Sequence, residues 1–243
     1  MPSYAQIESM KVRLLICGAG AMLALCAHAG IMYSTTTGSV PDGSPVGWSA
    51  IATASGYLPS ISDVSVNLNI SGGYNGDLYA YLSYGGVLLP LLNRTGVTGT
   101  GSGDAFGYGN TGFNITLSST SSGAQDVHFY QNYGPSYNGS GQLTGTWQPD
   151  GRNIDPQSAP SAFDTASRLN FGSFTGLNPN GTWTLFIADL SAGGQSEVVS
   201  WSLDITAVPE PANVALGVFA VIFAAASLAR SKHLQRFSRP TPI

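Results

Sequence analysis

The chain has almost no cysteine, few cations and, away from its two ends, no long apolar run. Cys17 and Cys26 are the only cysteines among 243 residues. From Gly30 onward, therefore, neither a disulfide nor a thiolate metal site is available, and stability must come from burial. The stretch 30–207 contains no lysine; Arg94, Arg152 and Arg168 face eleven acidic side chains there, a net charge of −8. An acidic stretch without a basic stripe makes a poor nucleic-acid binder, and no nucleic-acid partner is expected. Histidine is equally scarce: His128 is the only one in that stretch. The sequence also lacks the Gly-x-Ser-x-Gly elbow and any other nucleophile signature. A lone histidine on a short strand is read as structural, and the chain is expected not to be an enzyme. An acid pair for glycoside hydrolysis stays open in principle, although Glu197 is the only glutamate of the stretch. No amphipathic helix is apparent between the two ends.

The ends carry the strongest patterns. Residues 1–29 have the three parts of a secretory signal: Lys11 and Arg13, then apolar Leu14 to Ala27, then Ala27-His28-Ala29 as a small-x-small cleavage site before Gly30. Leu25 precedes Cys26 and Ile16 precedes Cys17, so neither cysteine sits in a lipobox. At the other end the segment 212–229 has Asn213 and Ser227 as its only polar side chains. As a helix it would rise roughly 27 Å, close to the roughly 30 Å of a hydrocarbon core. Arg230, Lys232 and Arg236 follow at once and predict a cytoplasmic C-terminus with the rest of the chain outside. Pro209 and Pro211 cannot extend a helix backwards, so the span is expected to start cleanly after them. On hydropathy alone a permanent anchor and a sorting device are equal alternatives.

Pro209-Glu210-Pro211, an apolar span and a terminal basic cluster together resemble the PEP-CTERM sorting signal of Gram-negative bacteria, over residues 208–236. The resemblance implies an exosortase as partner, cleavage near the triplet, and a mature protein at the cell surface or outside it, associated with exopolysaccharide. It also implies an inner-membrane precursor held by residues 212–229. Residues 237–243 extend beyond the basic cluster further than most such tails do.

Between the ends the pattern is all-β. Val64, Val66, Leu68 and Ile70 alternate with polar residues, as in a half-buried strand. Leu78, Ala80 and Leu82 mark a second strand. Gly85-Gly86 reads as a hairpin turn into Val87–Leu92, where Pro90 predicts an edge strand or a bulge. Phe113, Ile115 and Leu117 mark a further strand, Val127 to Tyr130 a short one, and 131–161 mostly turns around Leu143 and Trp147. Asn178-Pro179-Asn180-Gly181 has turn chemistry and leads into Trp183, Leu185 and Ile187. Trp201, Leu203 and Ile205 close the alternation. These residues predict a sandwich over 59–207, preceded by a lead-in at 30–58. The pieces Gly76-Asp77-Leu78, Leu82-Ser83 with Gly85-Gly86, Asn180-Gly181-Thr182-Trp183-Thr184-Leu185 with Asp189, and Trp201-Ser202-Leu203-Asp204-Ile205 resemble the proprotein convertase P-domain. That resemblance implies a single jelly-roll-type β-sandwich. The P-domain normally follows a subtilisin-like protease domain; 30–60 is too short for one, so a stand-alone accessory fold is expected.

Ligand chemistry is open on two points. Asp77, Asp104 and Asp189 lie at turns or strand ends where hard oxygen ligands for calcium collect. Asp150-Gly151-Arg152-Asn153-Ile154-Asp155 alternates oxygen side chains but lacks the twelfth-position glutamate of a calcium loop. Acids that solvate turns are the preferred reading, with no cofactor expected and calcium as the alternative. Tyr79 and Tyr81 fall on the outward face of their strand, and Tyr130, Tyr133 and Tyr137 cluster in the loop region. Packing is the preferred reading; stacking on sugar rings is the other. The expected function is an exported non-enzymatic surface or matrix protein. A carbohydrate-binding module is the alternative, and a secreted hydrolase or a protease accessory domain comes further behind.

Overall fold

The computed structural model describes residues 28–34, 36–100 and 105–237. Eleven strands fall into two sheets: β1(His28–Ser34), β2(Gly38–Val40), β3(Ser44–Ala54), β4(Ser60–Gly72), β5(Leu78–Tyr84), β6(Val87–Asn93), β7(Phe113–Ser118), β8(Gln125–Asp126), β9(Leu143–Gln148), β10(Gly181–Asp189) and β11(Ser196–Val208). The larger sheet has the order β1-β11-β4-β7-β9-β8, with β2 also on β11; the smaller is β3-β10-β5-β6. Among the described residues there are two α-helices, α1(Pro160–Thr165) and α2(Pro211–Phe237). Residues 28–207 form one compact unit and α2 belongs to another.

Period-two alternation builds both sheets. Val64, Val66, Leu68 and Ile70 of β4, Leu78, Ala80 and Leu82 of β5, Trp183, Leu185 and Ile187 of β10, and Trp201, Leu203 and Ile205 of β11 all turn inward into one shared core. Trp183 lies at its centre, fully buried, with its ring stacked on Tyr84 at 4.0 Å and tilted against Phe174 at 5.1 Å. Its indole Nε1–H donates to Pro179 O at 3.0 Å, so the polar edge is satisfied inside the core. The turn that supplies this carbonyl is itself pinned: Asn180 accepts from Tyr57 N and donates to Tyr57 O, each at 2.9 Å.

Turn chemistry fixes the hairpin between β5 and β6. Gly85 and Gly86 both have positive φ, +58° and +82°, as a two-residue turn matched to strand twist requires. β6 is an edge strand, and its register slips opposite Ala80 and Tyr81, where Tyr81 faces Pro90 and Ala80 faces Leu92. The proline thus sits where it withholds no ladder hydrogen bond, and the slip explains why Leu89, Leu91 and Leu92 are all buried.

Two expectations need correction. Residues 30–58 are not a lead-in: they supply β1, β2 and β3, and β3 pairs with β10 from Gly181↔Ala54 to Asp189↔Ser44. Their sequence hid this because β3 mixes glycine, serine and alanine with an exposed Ile51 and Val46. Val127 to Tyr130 is not a strand but part of a 3-10 segment, Val127–Tyr133. Asp126 caps that segment by accepting from His128 N at 3.0 Å, a local bond that competes with strand pairing. The larger sheet is mixed: β9 runs parallel to β7 and to β8. The long excursion between Ser118 and Leu143 gives the chain room for that crossover.

Gly30 is built into the fold. A Cβ there would lie 2.5 Å from Tyr57 Oη, and that hydroxyl donates to Gly30 O at 2.9 Å. The expected signal segment lies outside the described residues except for its end: His28 and Ala29 already pair with Ala207 and Thr206.

Candidate functional sites

His128 sits in a charged cluster that the sequence did not announce. It is fully buried. Nδ1 lies 2.6 Å from Asp150 Oδ2, and Nε2 lies 2.9 Å from the Val97 carbonyl. Asp150 is also fully buried and accepts from Asn93 N at 3.2 Å, Arg152 N at 3.3 Å and Arg152 Nη1 at 3.1 Å. Arg152 reaches on to Asp126 at 3.1 Å, and Arg168 meets the same Asp126 at 3.1 Å. The Arg152 guanidinium lies 4.9 Å from the centre of the Phe129 ring, and the imidazole stacks near Phe163 at 5.8 Å.

The electrostatics follow from this geometry. Burial alone would raise the Asp150 carboxyl, but the His128 imidazole and the Arg152 guanidinium outweigh it and hold the group below the ordinary carboxylate range. Burial would likewise lower Arg152, yet Asp150 and Asp126 hold it above its ordinary value. Both imidazole nitrogens are engaged with acceptors, away from solvent, so the ring is placed to tie Val97 to Asp150 rather than to take a proton from a substrate. Two of the three arginines of the stretch 30–207 belong to this network. Their scarcity was the available signal, because a buried cation in an acidic chain needs carboxylate partners.

A second set of acids gathers at one end of β10. Asp189 is 1% exposed and accepts from Ser196 Oγ at 3.2 Å and Ser191 N at 3.4 Å. Asp77 ends the 3-10 turn Asn75–Asp77, just before β5, and its carbonyl accepts from Leu190 N at 2.9 Å. Asp42 closes the same end by accepting from Gly193 N at 3.1 Å. Burial pushes Asp189 up to about 6, and the like charges of Asp77 and Asp42 add to the shift. Burial also raises Asp77, while Ser191 and Arg94 oppose it. The structure therefore brings together two of the three acids considered for calcium, Asp77 and Asp189, and adds Asp42; Asp104 lies outside the described residues. Among the described residues, no group of three or more acidic, histidine or cysteine side chains is arranged to hold a metal ion.

The tyrosines divide differently from the sequence pattern. Tyr81 is half-buried and stacks on Phe186 at 4.9 Å, with Tyr79 5.9 Å away, so these rings pack on each other across β5 and β10. Tyr130 is core: it is fully buried, burial pushes its phenol up, and its hydroxyl donates to Asn110 Oδ1 at 2.9 Å. Tyr133 and Tyr137 are 46% and 40% exposed.

At the C-terminal end, Pro209 and Glu210 stand outside regular structure and one helix runs Pro211–Phe237. Side chains are described there from Ala215 to Leu228 and at Arg230. Among the described residues no helix is long and apolar enough to cross a membrane. The side chains of Pro211, Lys232 and Arg236, like Ala27 as a whole, lie outside the described set.

No protein-family model matches the chain, and no curated protein matches it. Among solved structures, it is similar to a serine protease of Aeromonas sobria, with 14% identity and a TM-score of 0.39, covering 75% of this chain and 27% of that one. It is similar also to the complex of the Aeromonas sobria serine protease and the chaperone, with 13% identity and a TM-score of 0.36, again over 75% and 27% of the two chains. The chain thus spans about a quarter of the length of the structures it matches.

Proposed function

We propose that this chain is an exported, non-enzymatic surface or matrix protein of the PEP-CTERM type, with one P-domain-like, jelly-roll-type β-sandwich as its exported body. The observation that carries the reading is the C-terminal arrangement. The last strand ends at Val208, Pro209-Glu210-Pro211 follows, and a single helix of the apolar sequence 212–229 begins at Pro211. In this reading residues 212–229 hold the precursor in the inner membrane with Arg230, Lys232 and Arg236 inside. An exosortase then cuts near Pro211, and the body passes to the cell surface or beyond, where exopolysaccharide is its partner. At the other boundary, a mature chain beginning at Gly30 gives up the first two paired residues of β1, His28 and Ala29, and keeps the carbonyl that Tyr57 binds and the strand from Gly30 to Ser34. The locked state of His128 supports a structural role for the only histidine of the stretch 30–207. Replacing Pro209-Glu210-Pro211 by three alanines tests the reading. Insertion is driven by hydropathy and should persist, while release should stop and the protein should accumulate in the inner membrane. Unchanged release from that variant would overturn the proposal.

A further inference from the structure

Beside the β8–β9 edge of the larger sheet lies a cleft of about 430 Å³, within the roughly 300–1,000 Å³ of small-ligand sites. Tyr133 forms one aromatic part of its lining and Trp147 the other. Trp147 is 7% exposed and its indole Nε1–H is already used, donating to Thr144 O at 2.9 Å, so it gives the cleft a narrow apolar strip and leaves Tyr133 as the open aromatic face. Gly145, in the strand between Thr144 and Thr146, has φ +100° and leaves Trp147 Nε1 3.6 Å from where a Cβ would be. Gln125, Ser136 and Thr146, all exposed, add an amide and two hydroxyls to the lining. None of the residues lining the cleft is charged.

Those features narrow the ligand. An anion would meet no cation here, in a stretch whose net charge is −8. A cation would meet no carboxylate. A peptide strand would need free ladder groups, but the edge of β9 is covered: Thr144 N donates to Ser136 O at 2.9 Å, Leu143 bridges Tyr137, and Trp147 pairs with Gln125. What remains is a ligand with a flat C–H face for the exposed Tyr133 ring and neutral hydroxyls for amide and hydroxyl partners. We propose that this cleft binds a neutral oligosaccharide, with Tyr133 as its stacking residue. The inference deepens the surface role above and rests on export to bring the cleft to a polysaccharide. It also moves the sugar-binding alternative away from Tyr79 and Tyr81, whose faces are taken up by each other and by Phe186.

The test uses the full chain in a zwitterionic detergent without a sugar headgroup. Calorimetric titrations are run with cellotetraose, maltotetraose, laminaritetraose, mannotetraose and the anionic tetragalacturonate. At least one neutral tetrasaccharide should bind, with tetragalacturonate at least roughly tenfold weaker, a difference of about 1.4 kcal/mol. Tyr133→Ala should weaken binding by at least roughly tenfold, while Tyr133→Phe and Tyr79→Ala stay within about threefold. Tyr133 is nearly half exposed, so the two Tyr133 variants should melt with the parent, and loss of binding then reports the cleft. No neutral binder with Kd below about 10 mM, binding indifferent to Tyr133→Ala, or preference for the anionic probe would overturn the proposal. A failure here leaves tail processing intact, and a failure of tail processing leaves binding by the purified chain intact, so the two are separable.

Discussion

Asp189→Asn should stabilise the protein at neutral pH and do little in acid. The carboxyl of Asp189 is held at about 6 by burial and by its acidic neighbours, against about 3.9 in an unfolded chain. The folded state therefore binds the proton more tightly than the unfolded state. Between about pH 4 and pH 6 it carries more protons, and stability falls as pH rises through that window. The contribution is fully present below about pH 4 and gone above about pH 6. Two pH units at about 1.4 kcal/mol each set an upper bound of about 3 kcal/mol. Asparagine keeps the shape, keeps Oδ1 as acceptor for Ser191 N, and puts an NH2 in place of Oδ2 that can donate to Ser196 Oγ, but it never ionises. Urea unfolding of the detergent-solubilised chain, followed by tryptophan emission at pH 4 and pH 7.5, reads the difference. The variant should gain about 1–3 kcal/mol at pH 7.5 and change by less than about 0.5 kcal/mol at pH 4. A loss of stability at pH 7.5 would refute the reasoning. If that loss were abolished by chelating divalent cations from the parent, a calcium ion among Asp42, Asp77 and Asp189 would be the explanation.

The opposite sign applies to Asp150: its lowered folded pKa contributes stability above about pH 3.9 that is lost as pH falls below that range. Asp150→Ala should cost about 3–5 kcal/mol in the same assay, and a cost under about 1 kcal/mol would mean that the His128–Arg152 cluster is not buried as described. Trp183→Ala should cost about 3–5 kcal/mol, whereas a change within about half a kcal/mol would place Trp183 outside the core. Removing residues 30–58 from the chain should abolish the cooperative melt, because β10 loses β3 along its whole edge; an unchanged melting temperature would restore those residues to the status of a lead-in.

Strands with strict alternation were legible in the sequence. Val64 to Ile70 and Trp183 to Ile187 each place a large apolar group at every second position, and only one register buries them all. The hairpin at Gly85-Gly86 was legible for a local reason as well, since two adjacent residues at positive φ leave few other structures open. β3 was not: its inward residues are Ala50, Ala52 and Ala54, too small to signal a buried face against serine and glycine neighbours. The 3-10 path of Val127–Tyr133 depends on the Asp126 cap and on the ties from His128 to Asp150 and Val97, which span 22 and 31 residues. Long-range bonds of that kind leave no local period to read. The cleft was half legible: Tyr133 stood out in a tyrosine cluster, but its place in one cleft with Trp147 depends on β9 crossing back parallel to β7.

The fate of the C-terminus decides between a sorted surface protein and a permanently anchored one. Mass spectrometry of the C-terminal peptide, in strains with and without the exosortase, measures it directly. The account predicts a protein ending near Pro211 and lacking Arg230, Lys232 and Arg236 only when the exosortase is present. Full-length protein retaining Arg236 in the inner membrane of both strains would contradict it.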